Sequence, residues 1–534
     1  MGLSSILTLA AAGSLVLYSR LRAPISAVVF YPLLILIALC KPLYYYQIYP
    51  FYISPLRRLP APKQKPYLFY GHFPYNTAKA DGSQMVEWAR ENKGSDLMIK
   101  FAIANSERLV PVPRAMHEVL QSKCYTYVKP PFISVMLKAV AGDGLLLAEG
   151  DLHKHQRKLL MPAFSFHHIN TLVPVITDEA RRLVDVYRQR IALASDGKSD
   201  SGTIDVNESL SSITLDVIYR AGLGLSFNAL EDPHNELSTA YRTVFAATGV
   251  ADQFMMLCQT MIPGFKYIPI PSNIKLQQAR QVIWKFANDA IEAKLRKFQN
   301  RDMSEKLNDS EIDILNIMIE EGNGEWTVET MADQLATFLL AGHETSAAAT
   351  TIALYYLCKH EDIQARLRNE IRTHFPDGLA SIRTAADVES LKYLNNVVRE
   401  VLRIIPPVIV SLRMATEDTV LVGQPVPKGT ILLLSPTVMN RSTDLWGADA
   451  DEFNPDRWDG HQATNNMAFM TFFQGPRSCI GRRFAEFEIK ALLLAIIGSF
   501  RVGMEEGQTV EWKTKVTYRP VGGLPLRLTS LTDW

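Results

Sequence analysis

Phe472-Phe473-Gln474-Gly475-Pro476-Arg477-Ser478-Cys479-Ile480-Gly481, near the end of the 534-residue chain, sets one cysteine in a frame of phenylalanine, two glycines and arginine. A thiolate inside a protein needs nearby positive charge and several N–H donors, because burial otherwise raises its pKa and the thiol form prevails. Gly475 and Gly481 permit a tight backbone turn and close approach to a flat ligand that a side chain would hinder. Phe472 can lie against a porphyrin, and Arg477 can reach a propionate carboxylate in a charge-assisted pair. Phe484, Phe487, Leu492 and Leu493 follow as an apolar helical run, whose positive end favours the anion. The frame points to Cys479 as the thiolate ligand of a haem iron.

Composition narrows the class. The length admits two or three average domains, yet no repeat is visible and no Pro/Gly-rich linker divides the chain after residue 66. One large, mainly helical catalytic domain over residues 67–534 is expected. The formal net charge of +1 argues against a nucleic-acid binder. Cys40, Cys124, Cys258, Cys358 and Cys479 are isolated, with no CxxC spacing, so they form neither a disulfide framework nor a zinc site. A reducing compartment follows.

Residues 1–50 read as an N-terminal membrane anchor of one or two apolar segments. Residues 3–18 are largely apolar, Arg20 and Arg22 intervene, and a second apolar stretch runs from about Ala23 to Cys40. Leu43 to Tyr52 is rich in tyrosines that suit a membrane interface, and residues 51–66 form a basic, proline-rich tether around Arg57, Arg58, Lys63 and Lys65. Basic residues after the apolar span place the catalytic domain on the cytosolic side. Each stretch is shorter than the roughly 20 residues of a full span, so the number of crossings stays open.

In the body, Leu97-Met98-Ile99-Lys100-Phe101 reads as a short strand, and Ser195 to Gly202 as a solvated loop between helices. A long helix is predicted from about Thr327 to Leu357, carrying Ala341-Gly342-His343-Glu344-Thr345-Ser346. Glycine inside a helix costs roughly 1 kcal/mol against alanine, and a small-residue gap at Ala341 and Gly342 beside a haem would admit dioxygen. Glu344 and Thr345 then offer an acid and a hydroxyl for proton delivery. A second helix, about Asp387 to Ile404, shows an apolar stripe at Leu391, Leu394, Val398 and Val401 and sets Glu400 and Arg403 three apart, able to touch.

Together these segments resemble the cytochrome P-450 family: the pattern FxxGxRxCxG at Phe472–Gly481, the acid–threonine motif at Ala341–Thr345, Glu-x-x-Arg at Glu400/Arg403, and Pro455-Asp456-Arg457 between them. The resemblance covers roughly residues 60–530 and is nearest in manner to fungal microsomal members. It implies a mainly α fold with a smaller β-rich region, preceded by membrane helix or helices. It also implies heme b bound through Cys479, and a structural triad of Glu400, Arg403 and Arg457 that fixes the segment supporting the cysteine loop. His153 and Arg157, four apart in Gly150–Lys158, match positions that reach haem propionates in the family, although many members have tryptophan at the place of His153. Arg413 matches a propionate-binding strand arginine. Phe473 departs from the more usual glycine or serine, with a small effect expected.

Axial thiolate ligation pushes electron density onto iron and favours O–O cleavage, so the resemblance implies a monooxygenase. With no GxGxxG and no P-loop in the chain, electrons are expected from NADPH through a separate flavoprotein, cytochrome P-450 reductase, with cytochrome b5 as a second donor. Arg477, Arg482, Arg483 and Lys490 are a candidate docking face. Substrate contacts are expected from Tyr125–Leu147, Phe245–Pro271, Phe338 and Ala341, and Val408–Ser411, with the Met-rich run Phe254 to Pro263 near an entrance. No charged anchor stands out there, which favours a neutral lipophilic molecule of terpenoid or polyketide type. The alternative is a haem-thiolate isomerase or dehydratase that needs neither dioxygen nor reductase; the intact Glu344–Thr345 pair argues against it.

Overall fold

The run expected as a strand pairs as one: β1 (Leu97–Phe101) is antiparallel to β2 (Glu107–Pro111), in the register Leu97↔Pro111 to Phe101↔Glu107. In the computed structural model the described residues are Tyr31, Pro32, Leu36, Cys40 and 43–534, less 69, 195–198, 246–263, 266–267, 300–312, 322–323, 461–467, 515 and 532–533. Most of the anchor, Cys258 and the Met-rich run Phe254 to Pro263 lie outside them. No single helix among the described residues is long and apolar enough to cross a membrane.

β1 and β2 open a five-stranded sheet of order β1-β2-β8-β5-β3, with β3 Tyr127–Val128, β5 Ser411–Ala415 and β8 Ile431–Leu434. β2 runs parallel to β8, and the other pairs are antiparallel. A small hairpin, β6 (Thr419–Leu421) with β7 (Gln424–Val426), extends this region. The polar stretch read as a loop is partly a strand: β4 (Ser201–Asp205) pairs with β12 (Pro525–Ser530), which also pairs with β9 (Phe500–Gly503). The far end of the chain supplies the ladder that a polar sequence does not advertise. Last, β10 (Trp512–Thr514) pairs with β11 (Tyr518–Pro520).

The helices build the main core. The helices used below are α1 Ser83–Glu91, α2 Gly150–Leu160, α3 Phe166–Ala194, α4 Val206–Leu223, α5 Val328–Lys359, α6 Lys392–Ile404 and α7 Arg482–Ser499. Thr327 caps α5 through a reciprocal hydrogen-bonded box with Thr330, which satisfies donors the first turn leaves open. α5 is buried along most of its length and packs on α4 and α7. The helix expected from Asp387 to Ile404 is two: Ala385–Glu389 ends, Leu391 adopts an extended backbone, and α6 begins at Lys392. The tether residues pack on the domain: Leu56 is buried, Pro60 O accepts from Ile99 N at 2.9 Å, and Gln64 Oε1 accepts from Trp88 Nε1 at 2.7 Å.

Glu400, Arg403 and Arg457 meet in the interior. Arg403 Nε and Nη2 each donate to one Glu400 oxygen at 2.8 Å, and Arg457 Nε donates to Glu400 Oε1 at 3.3 Å. Remaining donors are used on the surrounding chain: Arg403 reaches the carbonyls of Asn440, Ala450 and Glu452, and Arg457 those of Trp446 and Asp449. Glu400 also accepts from Asn454 N and Trp458 Nε1. Three charges thus staple α6 to the irregular chain between residues 440 and 458 that leads to the cysteine loop. Arg403→Ala would leave Glu400 buried beside unfilled carbonyls, a loss of roughly 3–5 kcal/mol. The expected outcome is no soluble haem-loaded protein, read from Soret absorbance per mole of chain; a soluble, pigmented variant would refute the staple.

Candidate active site around Cys479

The loop before α7 is shaped by its backbone. Cys479 N donates to Phe472 O at 2.9 Å, closing the hairpin that presents the thiol, and Ser478 N donates to Gly475 O at 3.0 Å. Gly475 has φ +78, and a Cβ there would stand 2.2 Å from Leu120 O, so no side chain fits. Gly481 is different: its backbone is ordinary, φ −86, and a Cβ would meet Phe164 only at 3.7 Å. The tight-turn argument therefore applies to Gly475 and not to Gly481. Phe473 also sits at positive φ, +53. A left-handed non-glycine residue costs roughly 1–2 kcal/mol, so the departure at Phe473 is not small; packing of its ring against the sheet-side core offsets the strain.

Cys479 is uncovered on one side of the loop. Its surface is exposed, yet enough protein surrounds it that burial pushes the thiol pKa up, while the Gly481 N–H, Arg157 and Arg482 pull it down. Arg157 of α2 donates from Nη1 to Ser478 O at 2.8 Å, holding the peptide just before the cysteine. The expected propionate contact of Arg157 is thus accompanied by a direct clamp on the loop. Phe472 packs under the Arg482 guanidinium, 5.3 Å from its ring centre, and edge-on to Phe469.

Beside the loop, positive charge gathers. Arg413, nearly buried on β5, is lowered to about 10 by burial and by Arg477. Lys129 is lowered to about 7 by burial first and then by Arg413, against the pull of Glu149. His153, buried on α2, is held neutral at about 3 by burial and by Arg477, Arg157, Lys129 and Arg413, and its Nδ1 shares a 3.1 Å hydrogen bond with Tyr125 Oη. Arg477 binds Ala148 O and the Glu149 carboxylate and stacks over Tyr125, but its buried Nε has no acceptor among the described residues. Three cations, Arg477, Lys129 and Arg413, thus face the carboxylate of Glu149, and Arg157 joins them beside His153. This donor set fits a flat ligand with two carboxylates: Arg157, Arg413, Arg477 and Lys129 match haem propionates, and Cys479 the iron. Lys129 and Glu149 were not singled out in the sequence. Glu149 and Arg477 are 328 residues apart, so no local signal marks their pairing.

On α5, Ala341 is exposed and Gly342 and Thr345 are partly so, within the stretch Gln334 to Leu354 that is otherwise buried. Thr345 Oγ1 donates to Ala341 O at 2.8 Å. Phe338 of the same helix lies 5.3 Å from Phe164, the ring that also flanks Gly481, so α5 and the cysteine loop share one wall. Gly342 points elsewhere: a Cβ would stand 3.0 Å from Ile218 Cγ1. Its absence of side chain lets α4 pack against α5, a helix-packing reason rather than an opening for dioxygen. Glu344 is buried, accepts from Thr517 Oγ1 at 3.1 Å and pairs with Arg519 of β11. Neither partner was foreseen.

The expected docking cations disperse. Lys490 is buried and paired with Glu389 at 2.6 Å, Arg477 turns inward to Glu149, and Arg482 pairs with Glu486 at 3.0 Å. Arg483 is the exposed member.

The family profile described as Cytochrome P-450 matches residues 62–522. The chain belongs to the cytochrome P-450 family. It is similar to cytochrome P-450 monooxygenase sphH of Aspergillus fumigatus, 36% identical over 93% of this chain and 92% of the relative. It is 34% identical to cytochrome P-450 monooxygenase FUM15 of Gibberella moniliformis, over 90% and 89% of the two chains. Cytochrome P-450 monooxygenase ALT8 of Alternaria alternata matches at 32% over 91% and 92%. As a family member the chain is a haem-thiolate monooxygenase, and the site above is where the family's chemistry belongs.

Between α5 and α7 lies a further buried acid, Glu488. Among the described residues neither of its oxygens has a partner at hydrogen-bond geometry; burial raises its pKa to about 8, and nearby Ser346 of α5 draws it only partway back. The folded protein keeps this proton to about pH 8, whereas the unfolded chain releases it near 4.5. The unfolded state therefore binds fewer protons between those values, and stability falls as pH rises across that window. Thermal melting of Glu488→Gln is expected to decline less than that of the parent between pH 5 and 8; parallel declines would contradict the assignment. Gly475→Ala should yield protein with little bound haem, measured by pigment retained after gel filtration, because backbone and Leu120 cannot both stay in place.

Proposed function

We propose that this monooxygenase is anchored in the endoplasmic reticulum membrane, faces the cytosol, and oxidises a neutral lipophilic compound of fungal secondary metabolism. Electrons come from NADPH through cytochrome P-450 reductase, with cytochrome b5 as a second donor. The reading rests on one observation: a loop that holds Cys479 among cations shares a wall with a helix whose buried middle, Gln334 to Leu354, opens only at Ala341, Gly342 and Thr345. The haem, when bound, supplies reductive activation of dioxygen and insertion of one oxygen atom into substrate.

The chain's own residues set the conditions for that chemistry. Arg157, the Gly481 N–H and Arg482 favour the thiolate of Cys479 against burial. Arg157, Arg413, Arg477 and Lys129 would hold the two propionates, and neutral His153, bonded to Tyr125, adds a polar contact without further charge. Thr345, its own hydrogen directed at Ala341 O, keeps lone pairs to accept from water, and a rotation about its side chain lets it donate. Glu344 is fixed by Arg519 and Thr517, so it is an oriented relay rather than a swinging acid. The apolar residues Ile409 and Val410 after α6, with Phe338, favour a substrate without charge.

Incubation of membranes containing the chain with reductase, NADPH and isotopically heavy dioxygen should place heavy oxygen in the product. Product formed equally without NADPH and reductase would instead assign an isomerase or dehydratase. Thr345→Ala should retain haem and substrate binding but divert several-fold more reducing equivalents to hydrogen peroxide, measured as peroxide per NADPH consumed; unchanged coupling would remove Thr345 from the proton route.

A further inference from the structure

Lys100 on β1 and Arg108 on β2 stand directly opposite one another in the antiparallel register, on the same face of the sheet. Lys100 is 4% exposed, and Arg108 is partly covered. Like charges in such a cross-strand pair repel, and burial adds to the cost. Among the described residues no carboxylate lies within 4 Å of either cation. Glu107, next to Arg108, projects to the opposite face by strand alternation, where Ser54 and Tyr49 are its neighbours. Arg108 Nη1 donates to Glu107 O at 2.9 Å, and Lys100 Nζ lies 5.6 Å from the Trp88 ring centre. Burial and Arg108 together lower Lys100 to about 7. Two cations held together without a counter-ion make an anion site.

The surroundings say which anion. Arg108 is near Tyr46 of the helix Tyr44–Ile53, and the same helix reaches round to the other face of the sheet, where Phe51 packs 4.8 Å from Phe101, the strand partner of Glu107. Asn105, at the tip of the β1–β2 hairpin, donates to Leu68 O at 2.7 Å and to Gln47 Oε1 at 3.2 Å, tying helix, hairpin and the turn at 67–71 into one corner. That corner exposes Tyr45, Ile48, Tyr52, Tyr67, Leu68 and Tyr70. It directly follows the apolar residues 3–40 of the sequence. Aromatic side chains of this kind sit at the level of lipid headgroups. We propose that Lys100 and Arg108 bind the phosphate of a membrane phospholipid, Arg108 at the mouth and Lys100 at the floor, when the aromatic corner lies on the bilayer.

The proposal rests on the membrane reading given above, and its test separates the two. The full-length, haem-loaded chain is floated with vesicles of phosphatidylcholine alone and with vesicles in which roughly one lipid in five is phosphatidic acid, in parallel with the double variant Lys100→Met/Arg108→Leu. The parent should bind both, with roughly ten-fold or greater preference for the acidic vesicles, and the variant should bind neutral vesicles equally well but lose most of that preference. No preference in the parent, or a preference kept by the variant and so owed to Arg57 and Arg58, overturns the site while leaving the membrane reading intact. Failure of the parent to float with either vesicle overturns both. Should the variant not fold, acetylation of Lys100 in the parent decides: dispersed short-chain phosphatidic acid should slow it several-fold, and inorganic phosphate at equal concentration should not. Equal rates in all three conditions, or equal protection by inorganic phosphate, contradict a lipid site.

Discussion

A sulfur that must stay anionic inside a protein imposes its needs on everything near it. Burial alone drives Cys479 toward the neutral thiol, and the chain answers with fixed donors and charges rather than with solvent. The loop hydrogen bond from Cys479 N to Phe472 O sets where the sulfur points. Arg157 then ties the preceding carbonyl to α2, so the arginine that favours the thiolate electrostatically also fixes its position. Charge and geometry come from the same contact.

The rest of the fold keeps that loop in place. The Glu400–Arg403–Arg457 cluster joins α6 to the irregular chain upstream of the cysteine, where there is little secondary structure to hold it. Gly475 and Phe473 show how tightly the loop is drawn: one position excludes any side chain, and the other accepts a strained backbone to place its ring in the sheet-side core. The surplus of cations around Arg477 is unfavourable unless carboxylates arrive, so haem binding and stability of this region are coupled.

Short-range patterns carried the reading furthest. The residues of the cysteine loop, the start of α5 near Thr327, the strand Leu97–Phe101 and the three-residue spacing of Glu400 and Arg403 are local features, and each was legible because its physical cause lies within a few positions. What escaped was long-range. Glu149 finds Arg477 and Glu344 finds Arg519 across long stretches of chain, and nothing in the neighbouring sequence announces either pair. Polar composition misdirected the assignment of Ser201 and Gly202, which open β4, because the partner strand is at the C-terminal end. Gly342 was given a role in admitting dioxygen, whereas Ile218 on another helix accounts for it. Lys490, read as surface charge, is buried against Glu389.

The direct test of the account is the ligand itself. The purified haem-loaded chain is reduced under carbon monoxide and its Soret absorption recorded, beside Cys479→Ser and Cys479→His variants. Thiolate ligation predicts a strongly red-shifted Soret band in the parent and its absence in both variants. A folded, pigmented parent without that band, or a variant that keeps it, would contradict the assignment of Cys479.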